Sequence, residues 1–533
     1  MMKKLCITLL VAVLSVGAMT AQTFQNPLTP RMADGCVAKF GNFYYLVGTP
    51  CPGDLNMQWT GVWKSRDLVN WSGPYLAFEG DERDRPMWAS EIVHKGEQYY
   101  IITTCNTWQA GCTMMLQKAP TPLGPYVLHS HLKKKGLDPN IFVDTDGRSY
   151  LLDSEWIAPM NSDWNWLDGE FLGHRDTKEG PFMVKNNNRY LRFYARIDDN
   201  YTLEMESYEG DNPYTDDYRF QGEFFKGVHY PGHGCVVASP DGTELWYASH
   251  WMTQGWESRK LSIDRFGFDE EGMPIPSTRK VEEQPVPSYD KQKNNIAPGK
   301  PANSSQPSPL AAFDGKMETC WQSGPVDQNG FLELDLMGEF AIDQVQVAFP
   351  QKSTFSCQLM ASCDRLNWRP LGEVAPKQAK KVSVGGDDAF CRYLRLKNFD
   401  TPNVQIAEVQ VFQKIRKMPM PTGRNVELNQ GDSIVSLKRG QWYDYPVVDI
   451  PATGRYDVVF SLRSLQTRHN RFSLYFDEQR VCDESVAHTG VADNWAQIIA
   501  FDTHLEAGQP HRIRLVADEG DFEVKQIKFI EIE

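Results

Sequence analysis

The chain has 533 residues, 41% hydrophobic and 23% charged, with a formal net charge of −14 at pH 7. That length suggests about three or four domains, and an acidic balance without a basic stripe argues against nucleic acid as a partner. The one short basic run, Lys133-Lys134-Lys135, reads as a solvated loop tip.

In chain order, the first element has the form of an export signal. Lys3 and Lys4 precede an apolar run from Leu5 to Val16, and mostly small residues lead to Ala21, the expected cleavage point. The run is too short to span a bilayer comfortably and no second long apolar segment follows, so no membrane span is expected. Cys6 lies too early in the run to anchor a lipid. The remaining cysteines show no tight metal-ligand spacing; Cys105 and Cys112 either bridge neighbouring strands or stay as buried thiols.

After the signal, strand patterns dominate. Runs such as NFYYLVGT (42–49), QYYIITTC (98–105), RSYLLDS (148–154), RYLRFYA (189–195) and ELWYASH (244–250) alternate with Gly, Asp, Asn and Pro turns. They belong to a recurring unit, a polar opening, a turn, then a strand with paired aromatics. The unit appears five times between ADGCVAKF and PGHGCVVASPDGTELWYASH. Five such units predict the radial blades of a five-bladed β-propeller over residues 22–285. A Pro-rich stretch (282–309) and a second break, QKIRKMPMPTGRN (413–425), then set off two all-β segments, 295–413 and 425–533. Each has the size of one β-sandwich of jelly-roll type. The predicted fold class is all-β throughout.

The blade repeat gives scattered acids a common address. Asp34 in MADG, Asp138 in LDPN and Glu179 in KEGP open predicted inner strands, which would bring all three to one mouth of the central channel. A lone acid beside Gly or Pro is usually a turn former. Three at corresponding places suggest the carboxyl set of a glycosidase, where one acid protonates the leaving oxygen and another activates water. With 15 Trp in the chain, flat faces for stacking on sugars are available, although core packing accounts for most of them.

The order of further segments makes the pattern specific. VWKSRDLVNW (62–71), MWASEIV (87–93), APTPLGPY (119–126), GLDPNIFVDTDGRSYL (136–151), EGPFMVK (179–185), GHGCVVASPDG (232–242) and RKLSIDRFGFDEEGMPIP (259–276) together resemble glycoside hydrolase family 43, the inverting five-bladed propeller enzymes. The resemblance implies Asp34 as general base, Asp138 as the residue that tunes and orients the donor, and Glu179 as general acid. It implies sugar contacts at Trp88 and His233; apart from the resemblance, Trp59 and Trp156 are weaker stacking candidates that packing explains more readily, and Arg196 and His250 are further groups able to contact hydroxyls. No cofactor is implied, and a structural calcium ion, near His233 in some relatives, is the one metal it allows. Where the family has Ala-Asp-Pro, this chain has Ala33-Asp34-Gly35, a departure at the base itself.

The implied function is removal of sugars from plant cell-wall polysaccharide side chains, first of all as an α-L-arabinofuranosidase. The alternatives are β-D-xylosidase, β-galactosidase or galactanase, and a non-catalytic glycan-binding propeller. Downstream, AAFDGKMETCW (311–321), GFLELDLMG (330–338) and IAEVQVF (406–412) resemble a discoidin sandwich, the fold of carbohydrate-binding module family 32. GQWYDYPVVDIPATGRYDVVFSLRS (440–464) and HTGVADNWAQ (488–497) resemble module family 6, with Trp495 and Tyr443 as aromatic candidates.

Overall fold

A computed structural model describes residues 22–50, 58–81, 84–105, 113–132, 136–154, 156–173, 178–197, 201–252, 259–289, 294–326, 329–414, 418–429, 434–465 and 469–533. The segment read as an export signal and Cys112 lie outside these residues, while Cys105 is a free, buried thiol. No α-helix occurs among the described residues, and no helix is long and apolar enough to cross a membrane.

Five antiparallel sheets stand around one axis as a propeller, as the five sequence units predict. Their innermost strands are Met32–Phe40, Met87–Lys95, Asn140–Val143, Lys178–Asn186 and Gly234–Ala238. Each pairs with the aromatic-rich strand that follows it, for instance Phe43–Pro50 in the first blade and Leu245–Trp251 in the fifth. Those second strands are buried on both faces, which is why their sequences read as near-continuous apolar runs. The ring closes through the segment before the first blade. Leu28 N–H donates to Leu261 O (2.8 Å) and Leu261 N–H to Pro30 O (2.9 Å), so this segment lies along the outer edge of the fifth blade.

Every inner strand begins with the same backbone device. Asp34 (φ 54°), Ala89 (φ 49°), Asp138 (φ 60°), Gly180 (φ 55°) and His233 (φ 49°) occupy the left-handed region, as the third residue of the strand in the first, second and fourth blades and just before it in the third and fifth. In the first, second and fourth blades this residue lies within a register shift, between Ala33 and Cys36, Trp88 and Glu91, and Glu179 and Phe182. A bulge of this kind turns side chains out of the pleat. For a residue other than Gly the conformation costs about 1–2 kcal/mol. Asp34 and Asp138 therefore occupy equivalent places, but Glu179 does not. It precedes the fourth blade's left-handed residue by one position, a refinement of the sequence expectation.

The sandwich built around the 18-residue strand Phe331–Ala348 caps the opposite end of the propeller and touches all five blades at their first turns. Lys39 Nζ donates to Glu339 O (2.6 Å), Gly96 N–H to Asp364 Oδ2 (2.7 Å) and Arg365 to Val143 O (2.8 Å). In the fourth and fifth blades Asn303 donates to Lys185 O (2.8 Å) and Lys300 to Gly242 O (2.7 Å). Apolar packing is continuous across this seam. One core runs from Phe182 and Phe193 in the fourth blade through Tyr247 to Leu334, Phe340 and Val345 of the sandwich.

Glu333 organises part of the cap. Fully buried, it accepts from Arg365 Nε (2.9 Å) and Arg395 Nε (2.9 Å), and both arginines also reach carbonyls of the third blade. Removing one partner of a buried pair leaves an uncompensated charge and costs about 3–5 kcal/mol. Glu333→Gln is therefore expected to lower the first unfolding transition in a calorimetric scan.

The last sandwich, of two sheets carried by strands such as Gly454–Arg463 and His469–Phe476, docks on the first blade. Its strand Ala496–Leu505 continues that blade's sheet, with Gln497 opposite Gly73 in the outermost strand, Trp71–Glu79. Ser72 Oγ accepts from Ile499 N–H (2.7 Å), and Arg66 bonds Asp457 and Asp502 (2.9 Å each).

Candidate active site

The inner-strand openings bring Asp34, Asp138, Glu179 and His233 to one mouth of the channel. His233 Nδ1 lies 3.5 Å from Asp34 Oδ1 and 3.5 Å from Asp138 Oδ2, so one imidazole sits between two carboxyl groups. Gly180 N–H donates to Asp138 Oδ2 (3.0 Å), and a Cβ at Gly180 would stand 2.3 Å from the His233 ring. Glycine is thus required there twice, for its positive φ and for the close approach of the histidine.

Each acid has its own support. Asp34 Oδ1 accepts from Arg259 (2.9 Å) and Oδ2 from Thr49 Oγ1 (3.1 Å), while Asp34 N–H donates to His250 Nδ1 (3.3 Å). Thr49 Oγ1 in turn accepts from Ala89 N–H (2.8 Å), which ties the base of the first blade to the second. Asp138 N–H donates to Thr104 Oγ1 (3.0 Å), and Tyr201 donates to Glu179 Oε2 (2.8 Å). A Cβ at Gly35 would meet the end of Met32 at 2.2 Å. The Gly in place of the family's Pro is filled by Met32 rather than leaving a gap beside Asp34.

These surroundings split the proton affinities of the three acids. Burial pushes the Asp34 carboxyl up, but the Arg259 guanidinium, the His250 bond and His233 outweigh it and hold Asp34 well below the usual carboxylate range. Burial and then the Asp34 charge push Asp138 up to about 8. Burial, followed by the Asp138 charge, pushes Glu179 up to about 7. Burial holds His250 down at about 4, so it is neutral beside Asp34. One carboxyl held ionised beside two whose proton affinity is raised is the division that general acid–base chemistry requires. The resemblance attributes the raised acid to like-charge tuning; in this site desolvation is the larger cause and charge the second.

Trp88, half-buried, opens the second blade beside the left-handed Ala89, at the same mouth as the acids. The weaker candidates fall elsewhere. Trp59 is buried against Ala487, and Trp156 lies in the core beneath the Arg192 guanidinium. Arg196 pairs with Glu204 (2.7 Å), and fully buried His250 serves Asp34 rather than an open sugar face. Arg463 covers Trp495 at 4.5 Å. Sequence reasoning missed Arg259, Thr49 and Tyr201; Arg259 was signalled only as the first residue of the RKLSIDRFGF segment.

Calcium takes six to eight oxygen ligands. The groups around His233 offer a ring nitrogen and carboxylates already bonded to Arg259 and Gly180 N–H, which do not form such a cage.

Residues 24–274 match the family described as Glycosyl hydrolases family 43. The chain carries a family 43 glycosidase domain. Residues 419–529 match Carbohydrate binding module (family 35), where the sequence segments resembled family 6. A xylosidase/arabinosidase of Humicola insolens is 22% identical over 259 residues, 41% of this chain and 47% of that protein. The chain thus spans about half the length of the curated relative it matches. Among solved structures, a glycoside hydrolase is 21% identical, covering 72% of this chain and 98% of its own, with a TM-score of 0.42. An α-L-arabinofuranosidase from Lactobacillus brevis is 17% identical, covering 48% and 97%, with a TM-score of 0.43.

Proposed function

We propose that the protein is an exported, inverting, exo-acting glycosidase that trims side chains of plant cell-wall polysaccharides, first of all as an α-L-arabinofuranosidase. One observation carries the reading: Arg259 keeps Asp34 ionised while burial keeps Glu179 protonated near neutral pH, in the same mouth. The xylosidase/arabinosidase relative supports the substrate class, with β-D-xylosides and β-galactan as the alternatives. The family 35 match supports glycan binding by residues 419–529, while a discoidin-like identity for the preceding sandwich stays part of this proposal.

In the reaction, Asp34 accepts a proton from water as its oxygen forms the new bond to the anomeric carbon. The glycosidic C–O bond breaks from the opposite side, and the Glu179 proton passes to the departing oxygen. Arg259, Thr49 and His250 hold Asp34 in place. Tyr201 holds Glu179, and Asp138 raises its proton affinity. Trp88 and His233 face the bound sugar. Exchange of one proton from Asp34 to solvent and one from solvent to Glu179 resets the site.

Two measurements test this. Proton NMR of the first product released from 4-nitrophenyl α-L-arabinofuranoside, or from the xyloside if that is the better substrate, is expected to show inverted anomeric configuration. Retention would remove Asp34 as the base. The second is the pH profile of Arg259→Met. Without the guanidinium the Asp34 carboxyl titrates at higher pH, so activity is expected to fall sooner as the pH drops, and the acid limb of kcat/KM moves up. An unmoved acid limb would exclude Arg259 as the group that keeps Asp34 charged.

A further inference from the structure

The last sandwich reaches the rim of the catalytic mouth. Its strand Gln479–Ala487 rises along the outer strand of the first blade, with Glu484 accepting from Tyr75 (3.3 Å). At the top Ala487 packs on Trp59 and Leu76. The following loop, residues 488–494, then reaches the segment that leads into the first inner strand. Asp493 pairs with Arg31 at 3.3 Å, and its charge also acts on Lys260.

Both contacts lie next to the chemistry. Arg31 is three residues from Asp34, within about 10 Å along an extended chain. Lys260 directly follows Arg259, whose guanidinium holds Asp34. One carboxylate of the last sandwich therefore pairs with a residue close to the base and acts by its charge on the residue next to the base's partner.

The loop is also built to hold a shape. Arg463 donates to Ala492 O, Asn494 Nδ2 to Thr489 O (2.5 Å), and His488 Nε2 bonds Leu465 O (2.9 Å). Yet Asp493 itself remains 74% exposed in its side chain, beside an Arg31 side chain that is 26% exposed. An ion pair so open to water contributes little to stability. Its donors and acceptor are open to solvent, and so to the hydroxyl groups of a bound chain.

Resting on the glycosidase reading above, we propose that loop 488–494 and Arg31 form a binding subsite at the rim. Its ligand is the polysaccharide backbone that carries the sugar being removed. The family 35 region would then act as one wall of the catalytic cleft rather than as a separate tether. Asp493 and Arg31 would hydrogen-bond the hydroxyls of the backbone while the side-chain sugar occupies the mouth.

The test compares arabinoxylan, which has a backbone, with 4-nitrophenyl α-L-arabinofuranoside, which has none. In Asp493→Ala, and in the milder Asp493→Asn, the ratio of kcat/KM on the polymer to that on the small glycoside is expected to fall about three- to tenfold. The fall should be carried by KM on the polymer, with its kcat kept. An unchanged ratio overturns the proposal, as does a loss shared by both substrates, which would mean that Asp493 acts only through Asp34. If wild type turns over neither substrate but hydrolyses other glycosides, the sugar assignment fails, and the same ratio is read on the polymer and small glycoside of the sugar that is cleaved. If wild type hydrolyses no glycoside at all, the glycosidase reading fails and takes the subsite with it.

Discussion

Glu179→Gln is expected to lower kcat on arabinoxylan by about a hundred- to ten-thousandfold, the usual worth of a placed general acid. The loss should depend on the leaving group. Departure of an alkoxide from a polysaccharide needs the proton, whereas nitrophenolate departs without much help, so the nitrophenyl glycoside should lose far less. The pH profile supplies a second signature. Because Glu179 must carry its proton and titrates at about 7, wild-type activity should fall as the pH rises through that value. In the glutamine variant no proton is lost there, and that alkaline limb should vanish. Equal losses on both substrates, with the limb intact, would move the acid role to Asp138.

Asp34→Asn is expected to remove turnover to a similar extent, but without regard to leaving group, since no group remains to take the proton of the attacking water. Substrate binding should survive, because Arg259, Thr49 and His250 keep the amide in the place of the carboxylate. Calorimetric titration of arabino-oligosaccharides into this variant checks both points together. Binding without hydrolysis supports the base. Wild-type turnover would make Asp34 a structural group. A wild type that binds glycans yet hydrolyses none would leave the propeller as a binding protein.

The fold was legible because propeller blades are local. Each blade is written in one contiguous stretch, so five aromatic-paired strands with acidic or polar openings sufficed to predict five sheets. The site was legible for the same reason in part. Asp34 and Asp138 sit at equivalent left-handed positions, and their repeat could be read. Glu179 was read from the same repeat, but it stands one position before Gly180, which holds the equivalent left-handed place. What the sequence hid is long-range. Arg259 and His250 reach Asp34 from 225 and 216 residues away, and nothing in local pattern announces such contacts. Trp59 and Trp156 look like sugar platforms in sequence, yet their faces are spent on Ala487 and Arg192. The cap across the five first turns rests on single polar residues scattered from Lys300 to Arg395, too sparse to form a motif.

The outer strand of the first blade bears on how this chain can be shortened. A propeller's peripheral strands offer unsatisfied amides to any passing chain, the hazard that makes open sheet borders prone to self-association. Here part of that border is sealed by Ala496–Leu505 through Gln497 and Ile499. Trimming the protein to its family 43 region would strip the seal from Trp71–Glu79 and bare Tyr75 as well. The excised half would thereby trade a folded neighbour for sticky flanks, and its solubility, more than its chemistry, would be the first thing to suffer.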